Sequence, residues 1–182
     1  MNTTFDILGA IIIGGITLLI ILSLNMYSAQ IKYTSDSNLN LQGNAKTLAD
    51  IIDHDLRKIG YHYSGTAITD AEINKLTFFS DIDSSGIVST VTLTSSDSTK
   101  VASTTNPSDK FFYRIVNSDT SGRASLGLTN LKFTYMNYLG SPTTVLDSIK
   151  YIKAEIWLDS PDTAKSDFAK TYWEITVNPR NI

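Results

Sequence analysis

Three groups of side chains have residue types that could do chemistry. Asp53-His54-Asp55 sets an imidazole between two carboxylates, the types used for proton transfer or for holding a metal ion. On a helix, however, successive side chains point roughly 100° apart. The three cannot converge on one ion, and a solvated helix face is expected instead. Asp81-Ile82-Asp83-Ser84-Ser85-Gly86 opens like a calcium-binding loop, with oxygen-bearing side chains and a glycine in sixth place. The twelfth position, where a bidentate Glu belongs, is Thr92, so a plain turn is expected. The third group is a single residue, Asp6, the only charged side chain ahead of a long apolar run. A carboxylate at such an edge is costly unless a cation meets it, so its expected chemistry is ion pairing. His54 and His62 are the only histidines and there is no cysteine, which removes disulfides, thiolate metal sites and a Cys nucleophile. No Gly-rich phosphate loop, nucleophile elbow or paired-His motif occurs. No enzymatic activity, metal or cofactor is expected.

The element behind Asp6 is the strongest signal in the chain. Ile7 to Ile31 is a run of 25 residues without a charge. As a helix it spans roughly 37 Å, enough to cross the hydrocarbon core of a bilayer. A secretory signal peptide has a basic start and a shorter apolar core, and neither is present. Two readings remain: a plain membrane anchor, or a helix that begins in the membrane and then packs against copies of itself. Small residues favour the second. Gly9, Ala10, Gly14 and Gly15 include a small-xxx-small pair at Ala10 and Gly14, which lets backbones approach closely. Ile12, Ile16 and Leu19 supply apolar bulk beside them. These residues, with Asp6, are the candidate assembly surface.

Further along, Leu41, Ala45, Leu48, Ile52, Leu56 and Ile59 fall at spacings of four and three, one apolar stripe of an amphipathic helix. Lys46, Asp50, Asp53 and Arg57 occupy the opposite face. Gly60 is a stop signal. One long helix from about Phe5 to Ile59 is expected, with weak points at Gly14-Gly15 and at Tyr33–Asn38 with Gly43, where poor helix formers invite a bend or break. The rest alternates with a period of two: Val91 and Leu93; Leu131, Phe133 and Tyr135; Ile152, Ala154, Ile156 and Leu158; Trp173, Ile175 and Val177. Leu76–Ile82 and Phe111–Val116 are further strands. Turn signals stand between them at Ser84-Ser85-Gly86, Asn106-Pro107, Ser121-Gly122, Gly140-Ser141-Pro142 and Ser160-Pro161-Asp162. The expected fold is α+β, a long N-terminal helix packed on an antiparallel sheet. Three regions follow: an apolar helix over 1–32, an amphipathic helix over 33–60 and a β-rich head over 61–182. From Ser84 to Ser108, 14 of 25 residues are Ser or Thr, a solvated surface that could also carry O-linked sugars. The net charge is −3 with a pI near 5.2, and no basic patch stands out, so nucleic acid is not an expected partner.

The order of these segments resembles type IV pilins and pseudopilins. Leu48-Ala49-Asp50-Ile51-Ile52-Asp53-His54-Asp55-Leu56-Arg57-Lys58-Ile59-Gly60-Tyr61 is similar to the helix end of W-type minor pilins and J-type minor pseudopilins of type II secretion. Phe78-Phe79-Ser80-Asp81-Ile82-Asp83-Ser84-Ser85-Gly86 resembles their Asp-x-Asp-x-x-Gly strand and turn. Leu131-Lys132-Phe133-Thr134-Tyr135 and Val177-Asn178-Pro179-Arg180-Asn181 resemble their C-terminal half. The resemblance covers most of the chain through the order of loose motifs. It departs in three places. No basic leader precedes the apolar run, the family's helix proline is missing, and the family glutamate, fifth in the mature chain, is matched only by Asp6 if Met1 is removed.

The resemblance implies a structural subunit, anchored in the inner membrane before assembly. It would polymerise through its apolar helix into a surface filament, or a periplasmic one if a pseudopilus. Implied partners are copies of the same chain, the membrane, other pilin-like subunits and an assembly platform. A minor or priming subunit is an alternative within that class. A membrane-anchored adhesin-like binding module is the alternative outside it, and it would show clustered exposed aromatics, for which Tyr61, Tyr63 and Trp157 are the candidates.

Overall fold

The structure is a computed structural model that describes residues 3–97, 101, 104–120, 123–160 and 168–182. Met1, the Ser121-Gly122 turn, Pro161-Asp162 and part of the Ser/Thr-rich stretch lie outside the described residues. The fold is α+β: helix α1 (Thr3–Arg57), then an antiparallel sheet of seven strands. The strands are β1 (Ile68–Ala71), β2 (Lys75–Ser80), β3 (Ser89–Ser95), β4 (Lys110–Val116), β5 (Arg123–Met136), β6 (Tyr151–Asp159) and β7 (Lys170–Val177). Each pairs with its neighbours in sequence, a simple up-and-down meander. By internal packing the chain divides into two units, Met1–Ser37 and Asn38–Ile182.

Within the second unit, the heptad-like spacing of α1 acts as it should. Leu41, Ala45, Leu48, Ala49, Ile52 and Leu56 are buried, and Ile59 joins them just past the helix. They share one core with the inner face of the sheet, where period-two alternation sends every second side chain inward. That face carries Leu76 and Phe78 of β2, Val91 and Leu93 of β3, Phe112 of β4, Leu131 and Phe133 of β5, and Ile152, Ala154, Ile156 and Leu158 of β6. Register keeps the layers aligned: Leu76 faces Leu93, Phe78 faces Val91, and Phe133 faces Ala154. Fully burying such side chains contributes roughly 1.5–3 kcal/mol each.

Three details differ from the sequence reading. Tyr33–Asn38 and Gly43 are helical, not a break. Thr34 folds its hydroxyl back onto the Gln30 carbonyl at 3.0 Å, and Thr47 does the same to Gly43 at 2.9 Å. Such back-bonds satisfy the hydroxyls within the helix instead of competing with it. The helix also ends at Arg57, where a tighter turn begins: Lys58 N–H donates to the Asp55 carbonyl at 3.1 Å. Finally, β7 is an edge strand, and Trp173, placed on the apolar face by its spacing, stands 41% exposed. Only Val177 of β7 is buried.

Candidate functional site

The first half of α1 carries the candidate assembly residues. It is long and apolar enough to cross a membrane, and none of its apolar window is buried. Ile12 and Ile16 are each 54% exposed, Leu19 is 64% exposed, and Asp6 and Ala10 are exposed as well. Asp6, Ala10 and Gly14 are four residues apart and so run along one side of the helix. Ile12, Ile16 and Leu19, spaced four and three, form an adjacent apolar row. Two hydroxyls inside this stretch are bonded back to the helix. Thr17 Oγ1 donates to the Ile13 carbonyl at 2.8 Å and Ser23 Oγ to the Leu19 carbonyl at 2.9 Å. Hydroxyls bonded in this way make a helix surface better suited to an environment without water.

The glycines of this stretch have no role inside the chain. A methyl group added at Gly9, Gly14 or Gly15 would touch nothing. Each costs about 0.8–1.0 kcal/mol of helix propensity relative to alanine.

The acidic groups of the second unit behave differently from Asp6. Asp55 is not on a solvated face: it is 1% exposed, and Arg114 of β4 donates from Nε at 2.5 Å and from Nη2 at 3.2 Å to its two oxygens. His54 is exposed and approaches Asp55 Oδ1 at 3.1 Å through Nδ1. Asp53 is where the spacing placed it, paired across the outer face with Arg57 at 2.8 Å. Lys46 and Asp50 form the companion pair at 2.7 Å. The Asp53-His54-Asp55 triplet therefore divides between two sides of the helix, and the missing element was Arg114, 59 residues away, to which no local pattern points.

Asp81 holds a turn. Its two oxygens accept the Ser85 and Gly86 backbone N–H groups, both at 2.9 Å, and His62 Nδ1 stands 2.8 Å from Oδ2. Burial alone would raise this carboxyl, but the bonds from His62, Gly86 and Ser85 outweigh it and hold it below its ordinary 3.8. With both oxygens engaged, the turn is a capped hairpin link. Among the described residues no three His, Asp or Glu side chains converge to hold a metal ion.

The aromatic candidates divide as well. Tyr61, Tyr63 and Trp157 are each half-buried, Tyr63 against Phe79 with ring centroids 4.8 Å apart. Among the described residues of the second unit the exposed aromatics are Tyr138, Tyr172 and Trp173; Phe5, Tyr27 and Tyr33 of the first are exposed too. Tyr172 leans on Trp157 at 5.2 Å, over an open groove of about 430 Å³ that Thr129, Asn130 and Lys170 also line.

No protein-family model, curated protein or solved structure matches the chain. The architecture itself, one long helix with an apolar N-terminal half and an antiparallel sheet, is compatible with a pilin-like fold and with membrane anchoring.

Proposed function

We propose that the chain is a pilin-like structural subunit that polymerises through the first half of α1 into a filament outside the membrane in which it starts. The observation that carries this reading is the pairing of full exposure with small residues. The apolar window is wholly unburied, and its glycines at 9, 14 and 15 meet nothing within the chain. A plain anchor needs only apolar bulk, which Leu or Ala would supply at lower cost to the helix. Glycines on an exposed apolar helix are explained when another backbone comes close.

The driving force is sequestration. Burying about ten Ile and Leu side chains is worth tens of kcal/mol relative to water, at roughly 1.5–3 kcal/mol each. Lipid offers the same shelter, so the filament prevails only through packing, charge pairing and an energy-driven extrusion step. Asp6 supplies the pairing: it meets an α-amino group of a neighbouring copy. Leaving one member of a buried pair alone costs about 3–5 kcal/mol. No catalytic role is part of the proposal. The place of the chain as repeating or as minor, priming subunit depends on its abundance in the fibre.

The test compares sheared surface fractions from cells making the wild-type chain, Asp6→Ala or Gly14→Leu. Both variants are expected to lower filament yield at least tenfold while the β domain keeps its circular dichroism and melting temperature. Normal yield from Asp6→Ala removes the pairing role, and normal yield from Gly14→Leu removes close helix approach.

A membrane-anchored binding module is the second reading, favoured by one observation: Tyr172 and Trp157 beside an open groove. It predicts that both variants leave surface display and binding intact.

A further inference from the structure

We propose that Asp109 and Asp159, with oxygens of the Asn106–Asp109 turn, bind a divalent cation of the calcium class. Asp109 immediately precedes β4 and is 1% exposed, yet neither of its carboxylate oxygens has a hydrogen-bond partner. A carboxylate buried without partners is among the costliest features a fold can hold, and one that persists is met by a cation, a proton or water. Burial raises the Asp109 carboxyl, the Thr104 hydroxyl acts in the opposite sense, and Asp159, the last residue of β6, is near enough for its charge to add to the rise. No lysine, arginine or histidine among the described residues forms an ion pair with either carboxylate.

The turn itself is built. Asn106 is 3% exposed; its Oδ1 accepts the Ser108 N–H at 2.9 Å, and its carbonyl accepts the Asp109 N–H at 3.3 Å. Asn106 Nδ2 donates to the Ser160 carbonyl at 3.4 Å, which ties the turn to the end of β6. The ligand set is all oxygen and carries two negative charges. That composition selects a hard divalent cation over zinc or copper. Calcium accepts six to eight oxygens in irregular geometry, carbonyls and waters included, so two carboxylates suffice where magnesium would ask for a near-ideal octahedron. A proton competes for the same place, since burial and the Asp159 charge both favour the neutral carboxyl, and a bound cation must displace it. The bound ion would link the start of β4 to the end of β6, two strands that both flank β5 and do not pair with each other. This site is independent of the filament reading.

The experiment uses the full chain in detergent, stripped with a chelator and then titrated with calcium chloride, followed by thermal unfolding and by calorimetry. At a hundredfold excess over the dissociation constant the melting temperature should rise by roughly 5–11 °C. Calorimetry should show one ion per chain. Asp109→Asn should abolish the rise, and Asp159→Asn should cut the affinity at least tenfold. The proposal is overturned if calcium leaves the wild-type melting temperature unchanged, or if all three proteins shift equally, which places the ion elsewhere. Should Asp109→Asn not fold, the wild-type stoichiometry and the Asp159→Asn titration decide by the same criteria.

Discussion

Taking a carboxylate out of water costs several kcal/mol unless a cation and donors meet it, and Arg114 meets Asp55 with two nitrogens. Arg114→Met should therefore destabilise the β domain by about 3 kcal/mol, the low end for a broken buried pair, because the guanidinium is one-third exposed and water can reach the vacated side. Urea unfolding checks this, and Asp55→Leu combined with Arg114→Met should recover most of the loss. Asp81 gives a pH signature. Its carboxyl is held below 3.8 in the folded chain by the bonds from His62, Gly86 and Ser85. A depressed acid stabilises the fold above its unfolded value, and the contribution disappears as the pH falls through the folded one. Stability should thus fall with acid below about pH 4, and Asp81→Asn should flatten that part of the profile. None of these pairings was legible locally. Asp55 with Arg114, His62 with Asp81 and the orphaned Asp109 all depend on strands that meet far apart in the chain. The outward pairs Asp53–Arg57 and Lys46–Asp50 were legible, because i,i+4 spacing is a helix property.

At the scale of elements, what the sequence revealed tracks how regular each period is. The stripe from Leu41 to Ile59 and the alternation in β2, β3, β6 and the second half of β5 lie where the apolar spacing placed them. β1 was not legible: Ile-Thr-Asp-Ala is four residues with one buried side chain, too short for a period. The first half of β5 was missed for a related reason, since the register shifts between Leu128 and Asn130 interrupt its alternation. Trp173 follows the inward pattern of β7 but lies at the sheet edge, where too little covers it. The helix stop is set by Gly60. Its φ of 74° lies in the left-handed region, and an added Cβ would collide with the Asn181 carbonyl. Gly86 has a similar φ of 87° but open space around it. Gly86→Ala should cost about 1–2 kcal/mol from backbone strain alone. Gly60→Ala should cost roughly 3 kcal/mol or more, because the last residues of the chain must also move. Equal costs by denaturant unfolding would show that the contact with Asn181 is unimportant.

For the whole molecule, the two units pose different physical problems. Asn38–Ile182 buries its apolar residues in a core of its own, whereas the helix segment before it buries none of its apolar window. A chain cannot leave such a surface in water, so lipid or other helices must take it up. Composition reveals that need and does not choose between the two environments; the proposed filament takes the exposed glycines as the reason for choosing other helices. Electron cryo-microscopy of sheared surface material from producing cells decides it. The expected image is a helical fibre with the segments after Thr3 bundled along its axis and the β domains outside. If the fibre fraction lacks this chain and detergent extracts hold it only as single copies, the helix is a tether and the filament account is wrong.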